Sequence, residues 1–373
     1  MSIRDARPDE LDDWDVHTVE TLGGHVYQSR AWAEDQRAAG WQPRFLVADG
    51  GARVLALTRS WPAIGGGSAY ITRGPVAMGA AADVLAARLV DVGKALAADG
   101  IDVVAADPEI ADSARPFRVG IEAAGFRPIE EIQPSRHRVS LPLGPDASEE
   151  ATFEGISKST RQRVRAAERA GVAIVRHDTR IQAPPGDESA VGEGFKVPSE
   201  PAAAALDRFY DLLLATGERL HFSFGPRAAF VGWWRAALAA GHLVYLEARA
   251  DDASGEPLAG LVLYRHGGRL STVHSGDHAA SRDSHPGALH LLRWRAIQLA
   301  IRENCVEMDL GGVDVAGSRS EPREGDPLYG LYQHKRSFGG RWLELTGAHE
   351  RIYDARGYQL GRLASRAARL LGR

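Results

Sequence analysis

The chain has a single cysteine, Cys305, among 373 residues. An internal disulfide framework is thereby excluded, and the composition fits a reducing compartment. No run of 18 apolar residues occurs, so no segment reads as a transmembrane helix. Basic charge is not in excess: 45 Lys and Arg stand against 49 Asp and Glu, a net charge of -4. With no global positive field, contact with nucleic acid would need a local patch. The opening MSIRDARPDELDDWD is acidic and polar and does not read as a secretory leader, so a cytoplasmic chain is expected. Several catalytic motifs are also missing. Gly65-Gly66-Gly67 is not followed by Lys and Ser or Thr, which excludes a P-loop. No G-x-S-x-G elbow marks a serine hydrolase. The nearest match to an R/Q-x-x-G-x-G/A acyl-CoA loop, residues 37–42, fails at its last position, Gln42. His274, His278, His285 and His290 lie near Asp277, but their spacing fits no zinc pattern, and no metal is expected. Cys305 precedes an apolar strand and reads as inert.

What remains is the composition of an ordinary globular protein, 44% hydrophobic and 25% charged, with length for two domains. A first helix is predicted over 8–22, carrying Leu11, Trp14 and Val19. Ser29 stands as the N-cap of a helix that Gly40 ends. Residues 45–48 and 53–58 read as strands joined by Asp49-Gly50-Gly51. Helical spacing over 81–99 is followed by a buried strand, 101–106, a short helix, 115–124, and a strand, 138–143. Residues 182–202 are rich in Pro, Gly, Glu and Ser and predict a long flexible loop. Helices follow over 206–219 and from Pro226, then strands at 243–249, 258–264 and 269–275, a helix over 286–303 and a strand at 306–310. The order hairpin, strand, long helix, strand therefore occurs twice, over 44–106 and 243–310, which predicts two copies of one α/β unit.

Two stretches concentrate chemistry. Residues 325–347, GDPLYGLYQHKRSFGGRWLELTG, set Lys335 and Arg336 among Tyr329, Tyr332 and Phe338, ahead of Gly339-Gly340 and a short strand. A cation on glycine-pinned backbone suits stabilisation of a developing negative charge. Spacing alone favours an exposed Lys-Arg pair on a hairpin whose aromatics are core. The second stretch, residues 157–171, is a helix with Ser159 and Gln162 as capping box and Gly171 as its stop. Arg161, Arg165 and Arg169 form one stripe along it, with Lys158 near the start. An anion laid against that face would relieve the repulsion, although a solvated helix face has the same pattern.

The run Tyr332-Gln333-His334-Lys335-Arg336-Ser337-Phe338-Gly339-Gly340 resembles the C-terminal signature of the FemABX family, the peptidoglycan bridge-forming aminoacyl transferases. QSRAWAEDQRAAGW (28–41), KSTRQRVRAAERAGV (158–172), Glu218-Arg219-Leu220-His221-Phe222 and the Asp309-Leu310-Gly311-Gly312 element resemble further family stretches, in the family's order. The resemblance implies an α/β (α+β) chain of two GNAT-like acyltransferase domains in tandem. No heptad run stands for the family's coiled-coil arm. Boundaries are expected at 1–150 and 151–345, with 346–373 a C-terminal helix that packs back on the first domain. That helix carries Leu360, Leu363, Ala364, Ala367 and Leu370 on one side, and an anionic membrane surface is the alternative place for it.

The function so implied is transfer of an amino acid from aminoacyl-tRNA to the stem-peptide amine of UDP-MurNAc-pentapeptide or lipid II. The ester is already activated, so neither cofactor nor metal is needed. Lys335, protonated near pH 7, would face the oxyanion, and the His334 carbonyl would hold the amine. The family often has Phe where His334 stands, and His334 could also titrate or stack. Where some members place an acceptor-binding lysine, this chain has Gln36. Trp32, Gln36, Arg219, Phe222, Ser275, Asp309, Gly311, Tyr332 and Phe338 are the expected substrate contacts. Lys158, Arg161, Arg165 and Arg169 are expected on tRNA or phosphate. A monomer is expected. A GNAT-like N-acyltransferase acting on a small molecule or polysaccharide is the alternative.

Overall fold

The computed structural model describes residues 2–133, 136–181, 188–220, 223–250, 256–313 and 320–370. Two compact units result. One takes the residues up to Arg138 and those from Leu343 onward, and the other takes the described residues from Val139 to Trp342.

The first unit contains β1 (Ile3–Asp5), α1 (Pro8–Asp12), α2 (Arg30–Ala38), β2 (Gln42–Ala48), β3 (Arg53–Ser60), β4 (Gly67–Ile71), α3 (Ala82–Ala98), β5 (Val103–Ala106), α4 (Arg115–Ala123) and β6 (Arg127–Pro128). Strand β7 (His137–Pro142) begins the second unit's sheet. That unit continues through α5 (Glu149–Gly155), α6 (Lys158–Arg169), β8 (Ala173–His177), α7 (Ala202–Leu220), α8 (Arg227–Ala239), β9 (Leu243–Arg249), β10 (Ala259–His266) and β11 (Arg269–Asp277). It closes with α9 (Ala279–Ser284), α10 (Ala288–Arg302), β12 (Glu307–Asp309), α11 (Tyr329–Arg336) and β13 (Arg341–Glu344). The chain then returns as β14 (His349–Ile352) and α12 (Ala355–Leu370) to the first sheet.

Each sheet has seven strands, in the orders β1-β2-β3-β4-β5-β14-β6 and β13-β7-β12-β11-β10-β9-β8. The repeat read in the sequence is present in both. Antiparallel β2-β3-β4 leads through α3 to β5, which pairs parallel with β4, and β9-β10-β11 leads through α10 to β12, parallel with β11. A parallel pair needs a crossover helix, which is why each long apolar helix falls where it does. Both faces of β3 are covered, one by α3 and α4 through Leu89 and Phe117, the other by Trp14 and Ala33. Its unbroken apolar run follows from that double burial.

Four local expectations are corrected. The 8–22 helix breaks after Asp12 into a π-helical turn, Val16–Glu20, because Trp14 is pulled into the core and donates Nε1–H to Gln28 O at 2.9 Å. The N-cap of α6 is Ser157, which accepts from Thr160 N, rather than Ser159. In the expected loop over 182–202, the described residues hold a 3-10 turn, Glu188–Val191, and bury Val191 and Phe195 in the second core. The segment around Lys335 is a helix, α11, and Lys335 is 5% exposed, not an exposed hairpin residue.

Helix α12 lies against β4 through small residues. A Cβ on Gly361 would meet the Trp61 ring and one on Gly357 would meet the Asp102 carboxylate, so the buried side of α12 is its glycine side. Leu360 and Leu363, expected inward, are 58% and 60% exposed. Among the described residues no helix is long and apolar enough to cross a membrane.

Candidate active site

The second unit holds the site. Leu328 adopts φ 65 immediately before α11 and turns the chain into that helix. Tyr332, Lys335 and Phe338 then point inward, three residues apart. Tyr332 and Phe338, expected as substrate contacts, are each 1% exposed and belong to the core. Lys335 enters at the end of β12, where its Nζ donates to Gly312 O at 2.6 Å. The turn that receives it is fixed by Asp309, whose Oδ1 accepts from Gly311 N at 2.7 Å. Gly311 has φ +82, and a Cβ there would stand 2.8 Å from Thr272 O and 3.0 Å from Lys335 Nζ. Only glycine lets β12 end this close to β11 and the ammonium. Asp309 is thus a buried scaffold residue.

The end of α11 is tied to the start of α6. Ser157 N donates to Ser337 O at 2.9 Å, Thr160 Oγ1 to Ser337 Oγ at 2.8 Å, and Ser337 Oγ to His334 O at 2.7 Å. Between the two helices lies a cleft of about 600 Å³, lined by Ser157, Thr160, Arg163, His290, His334 and Ser337. The His290 and His334 rings meet edge to face, 4.6 Å apart, and His334 also packs on Phe338. Both imidazoles are held neutral. Burial, then the cations Arg163 and Arg293, push His290 down to about 4. Burial, then Arg293, His290, Lys335 and Arg163, push His334 down to about 2. A ring held that low is a poor proton acceptor, so His334 stacks rather than titrates near neutrality.

The other sequence candidates are dispersed. Arg219 donates to Asp277 Oδ1 at 2.7 Å and to Asp277 O at 3.2 Å, and Arg282 shares that carboxylate. Ser275 Oγ accepts from Arg293 Nη2 at 3.2 Å. Trp32 stacks on Tyr27 with centroids 4.3 Å apart, and Gln36 Nε2 donates to Asp35 at 3.0 Å, both in the first unit. Phe222 lies outside the described residues. Of the α6 stripe, Arg161 is tied back to Glu154 O and Ile156 O, and Arg165 covers the Phe153 ring. Arg161 is therefore a local staple, while Lys158, Arg165 and Arg169 keep exposed side chains.

Three site residues escaped the sequence reading. In the sequence His290 enters only as a metal candidate and Arg163 and Arg293 carry no signal, because nothing in spacing brings α6, α10 and α11 together. In the first unit, Asp107 follows β5 and is 1% exposed, accepting from Tyr70 OH and Arg73 N, each at 2.8 Å. Burial raises it to about 6 against the pull of Arg73. Its signal was an acid ending the apolar run Val103-Val104-Ala105-Ala106.

Comparison with known proteins bears on the fold. Residues 157–336 match the family model described as an acetyltransferase (GNAT) domain. No curated protein matches the chain by sequence. Among solved structures, FemX is similar at 18% identity and TM-score 0.75, over 96% of this chain and 99% of FemX. L-PGS from Bacillus licheniformis is 12% identical at TM-score 0.51, over 99% of this chain and 98% of its own. A conserved protein of unknown function from Bacteroides thetaiotaomicron is 10% identical at TM-score 0.52, over 94% and 98%. The chain is thus FemABX-like in fold, two GNAT-like units in tandem, with the acetyltransferase-domain match falling on the unit that carries Lys335.

Proposed function

We propose that the chain transfers the aminoacyl group of an aminoacyl-tRNA to the stem-peptide amine of a peptidoglycan precursor, UDP-MurNAc-pentapeptide or lipid II. The observation that carries this reading is the ammonium of Lys335, held at the Gly311-Gly312 turn by a 2.6 Å hydrogen bond. The likeness to FemX in fold supports the aminoacyl donor. The amine attacks the ester carbonyl, the carbonyl oxygen gains charge that Lys335 offsets, and the bond to the ribose oxygen then breaks. The proton lost by nitrogen ends on that leaving oxygen. Orientation and electrostatics suffice for this step, so no cofactor or metal is required. The GNAT domain match favours a second reading, an acyl-CoA-dependent N-acyltransferase acting on a small molecule or polysaccharide.

The deciding experiment offers labelled aminoacyl-tRNA or labelled acyl-CoA together with UDP-MurNAc-pentapeptide. Label on the precursor from tRNA supports the first reading, label from acyl-CoA alone supports an acyl-CoA donor, and label from neither removes UDP-MurNAc-pentapeptide as the acceptor. On the tRNA reading, Lys158, Arg165 and Arg169 meet the phosphate backbone. Reversing all three to Glu should raise KM for charged tRNA at least tenfold. The salt slope should flatten by about 0.7 to 0.9 for each lost contact. An unchanged KM would remove the stripe from the interface.

The exposed leucines of α12 sit beside Arg362 and Arg366, a pattern that suits shallow contact with an anionic inner-membrane face by an otherwise cytoplasmic monomer. Co-sedimentation with phosphatidylglycerol vesicles is expected to fall severalfold in Leu360→Asp/Leu363→Asp. Equal pelleting of both proteins would count against membrane contact.

A further inference from the structure

The last turn of α11 passes over one of its own carbonyls. Ser337 N donates to Gln333 O at 2.9 Å, in the ordinary helical spacing. Phe338 N then donates to Lys335 O at 3.2 Å and Gly339 N to Arg336 O at 2.9 Å. The spacing tightens from four residues to three, and the step skips His334 O. A side chain takes the missing place: Ser337 Oγ donates to His334 O at 2.7 Å.

That hydroxyl does not act by itself. Its oxygen accepts from Thr160 Oγ1 at 2.8 Å, and Thr160 Oγ1 accepts from Ser157 Oγ at 3.0 Å. Three hydroxyls therefore donate in one direction, from the start of α6 to the end of α11, and the series stops on His334 O. Thr160 is 3% exposed, and in such surroundings hydroxyls bonded in series strengthen one another. The two helix ends are already joined without them. Ser157 N donates to Ser337 O at 2.9 Å, and Val164 and Phe338 belong to one core. What the hydroxyls add is the direction of a single carbonyl.

Ser157, Thr160, His334 and Ser337 all line the cleft, and Lys335 follows His334 directly. A carbonyl oxygen carries two lone pairs, so with Ser337 on one the other can take an N–H of a substrate. His334 O also lies in the last turn of α11, where the helix dipole favours a donor. An attacking amine held there by one N–H keeps its own lone pair for the acyl carbon.

We propose that Ser337 and Thr160 are positioning residues: their hydroxyl series sets the direction of the His334 carbonyl, and so the line along which the amine meets the ester. This role rests on the aminoacyl-transfer reading and on the amine contact expected there of His334 O. It makes α6, the helix expected to meet tRNA, part of what aims the amine.

The test compares the full-length parent with Ser337→Ala, Thr160→Val, the two combined, and Thr160→Ser. His334-Lys335 is the only His-Lys step in the sequence, so carbonyl-13C histidine with 15N lysine gives one carbonyl signal, that of His334. Loss of its hydroxyl donor should move that signal upfield in Ser337→Ala, and by less in Thr160→Val, where the series is only shortened. With charged tRNA as donor, kcat should fall roughly tenfold in Ser337→Ala while KM for both substrates holds, because the amine is misaimed and binding contacts remain. Adding Thr160→Val to Ser337→Ala should change neither readout further, since a series broken at its last link transmits nothing. Thr160→Ser, which keeps the hydroxyl, should return both toward the parent. A merely structural role would give losses that add and that follow the melting temperature. An unmoved carbonyl in Ser337→Ala overturns the hydroxyl series whatever the activity. A moved carbonyl with the parent kcat overturns the positioning role. A parent chain that passes no aminoacyl group to UDP-MurNAc-pentapeptide or lipid II overturns the aminoacyl reading and the positioning role with it, while the carbonyl signals still decide the series.

Discussion

Lys335→Met should reduce transfer at least a hundredfold, in turnover rather than in KM, while the chain still folds. The side chain is buried and its Nζ bonds Gly312 O, so methionine fills most of the space and removes only the charge and the donor. Loss of one oxyanion donor in a water-poor site lowers turnover by about 10² to 10³. Leaving the Gly312 carbonyl without this donor costs about 1–3 kcal/mol of stability, which a melting curve will register as a few degrees. Rate and melting temperature together separate chemistry from scaffolding. Turnover near the parent value would remove Lys335 from the mechanism, and rate loss that tracks unfolding would make it a structural lysine.

Gly311→Ala is expected to damage both fold and transfer. A left-handed backbone costs a non-glycine residue about 1–2 kcal/mol. Overpacking against main chain adds about 1–3 kcal/mol, since the new Cβ would stand 2.8 Å from Thr272 O. It would also stand 3.0 Å from Lys335 Nζ and so displace the ammonium even where the fold survives. Gly325→Ala is the control. Gly325 has φ +94 with nothing near a new Cβ, so it carries backbone strain without crowding. The expected order is a small stability loss with unchanged transfer for Gly325→Ala, and a larger loss of both for Gly311→Ala. Equal behaviour of the two variants would show that crowding at the β12 turn is unimportant.

The fold was legible because its signals are local and repeated. Two long apolar helices, each following a three-strand antiparallel run and preceding a buried strand, read the same way twice. The structure has that order in both sheets. Lys335 stood out in the sequence beside Gly339-Gly340, whereas its contact with Gly312 is shown only by the fold. The errors came where packing overrode periodicity. Trp14 broke a helix to reach the core, and Tyr332 went into the core on the inward face of α11 that also carries Lys335, with Phe338 buried just past the end of that helix. On α12 the glycines won over the leucines, since close approach to Trp61 excludes any side chain at Gly361.

By itself the sequence determined most of the long helices and strands and that the α/β unit is repeated. These follow from the hydrophobic period and backbone preference, which act over a few residues. The tertiary structure alone decided that Arg163, His290, Arg293 and His334 share one place. They come from three helices spread along the chain between Lys158 and Arg336, and they become neighbours only after those helices pack.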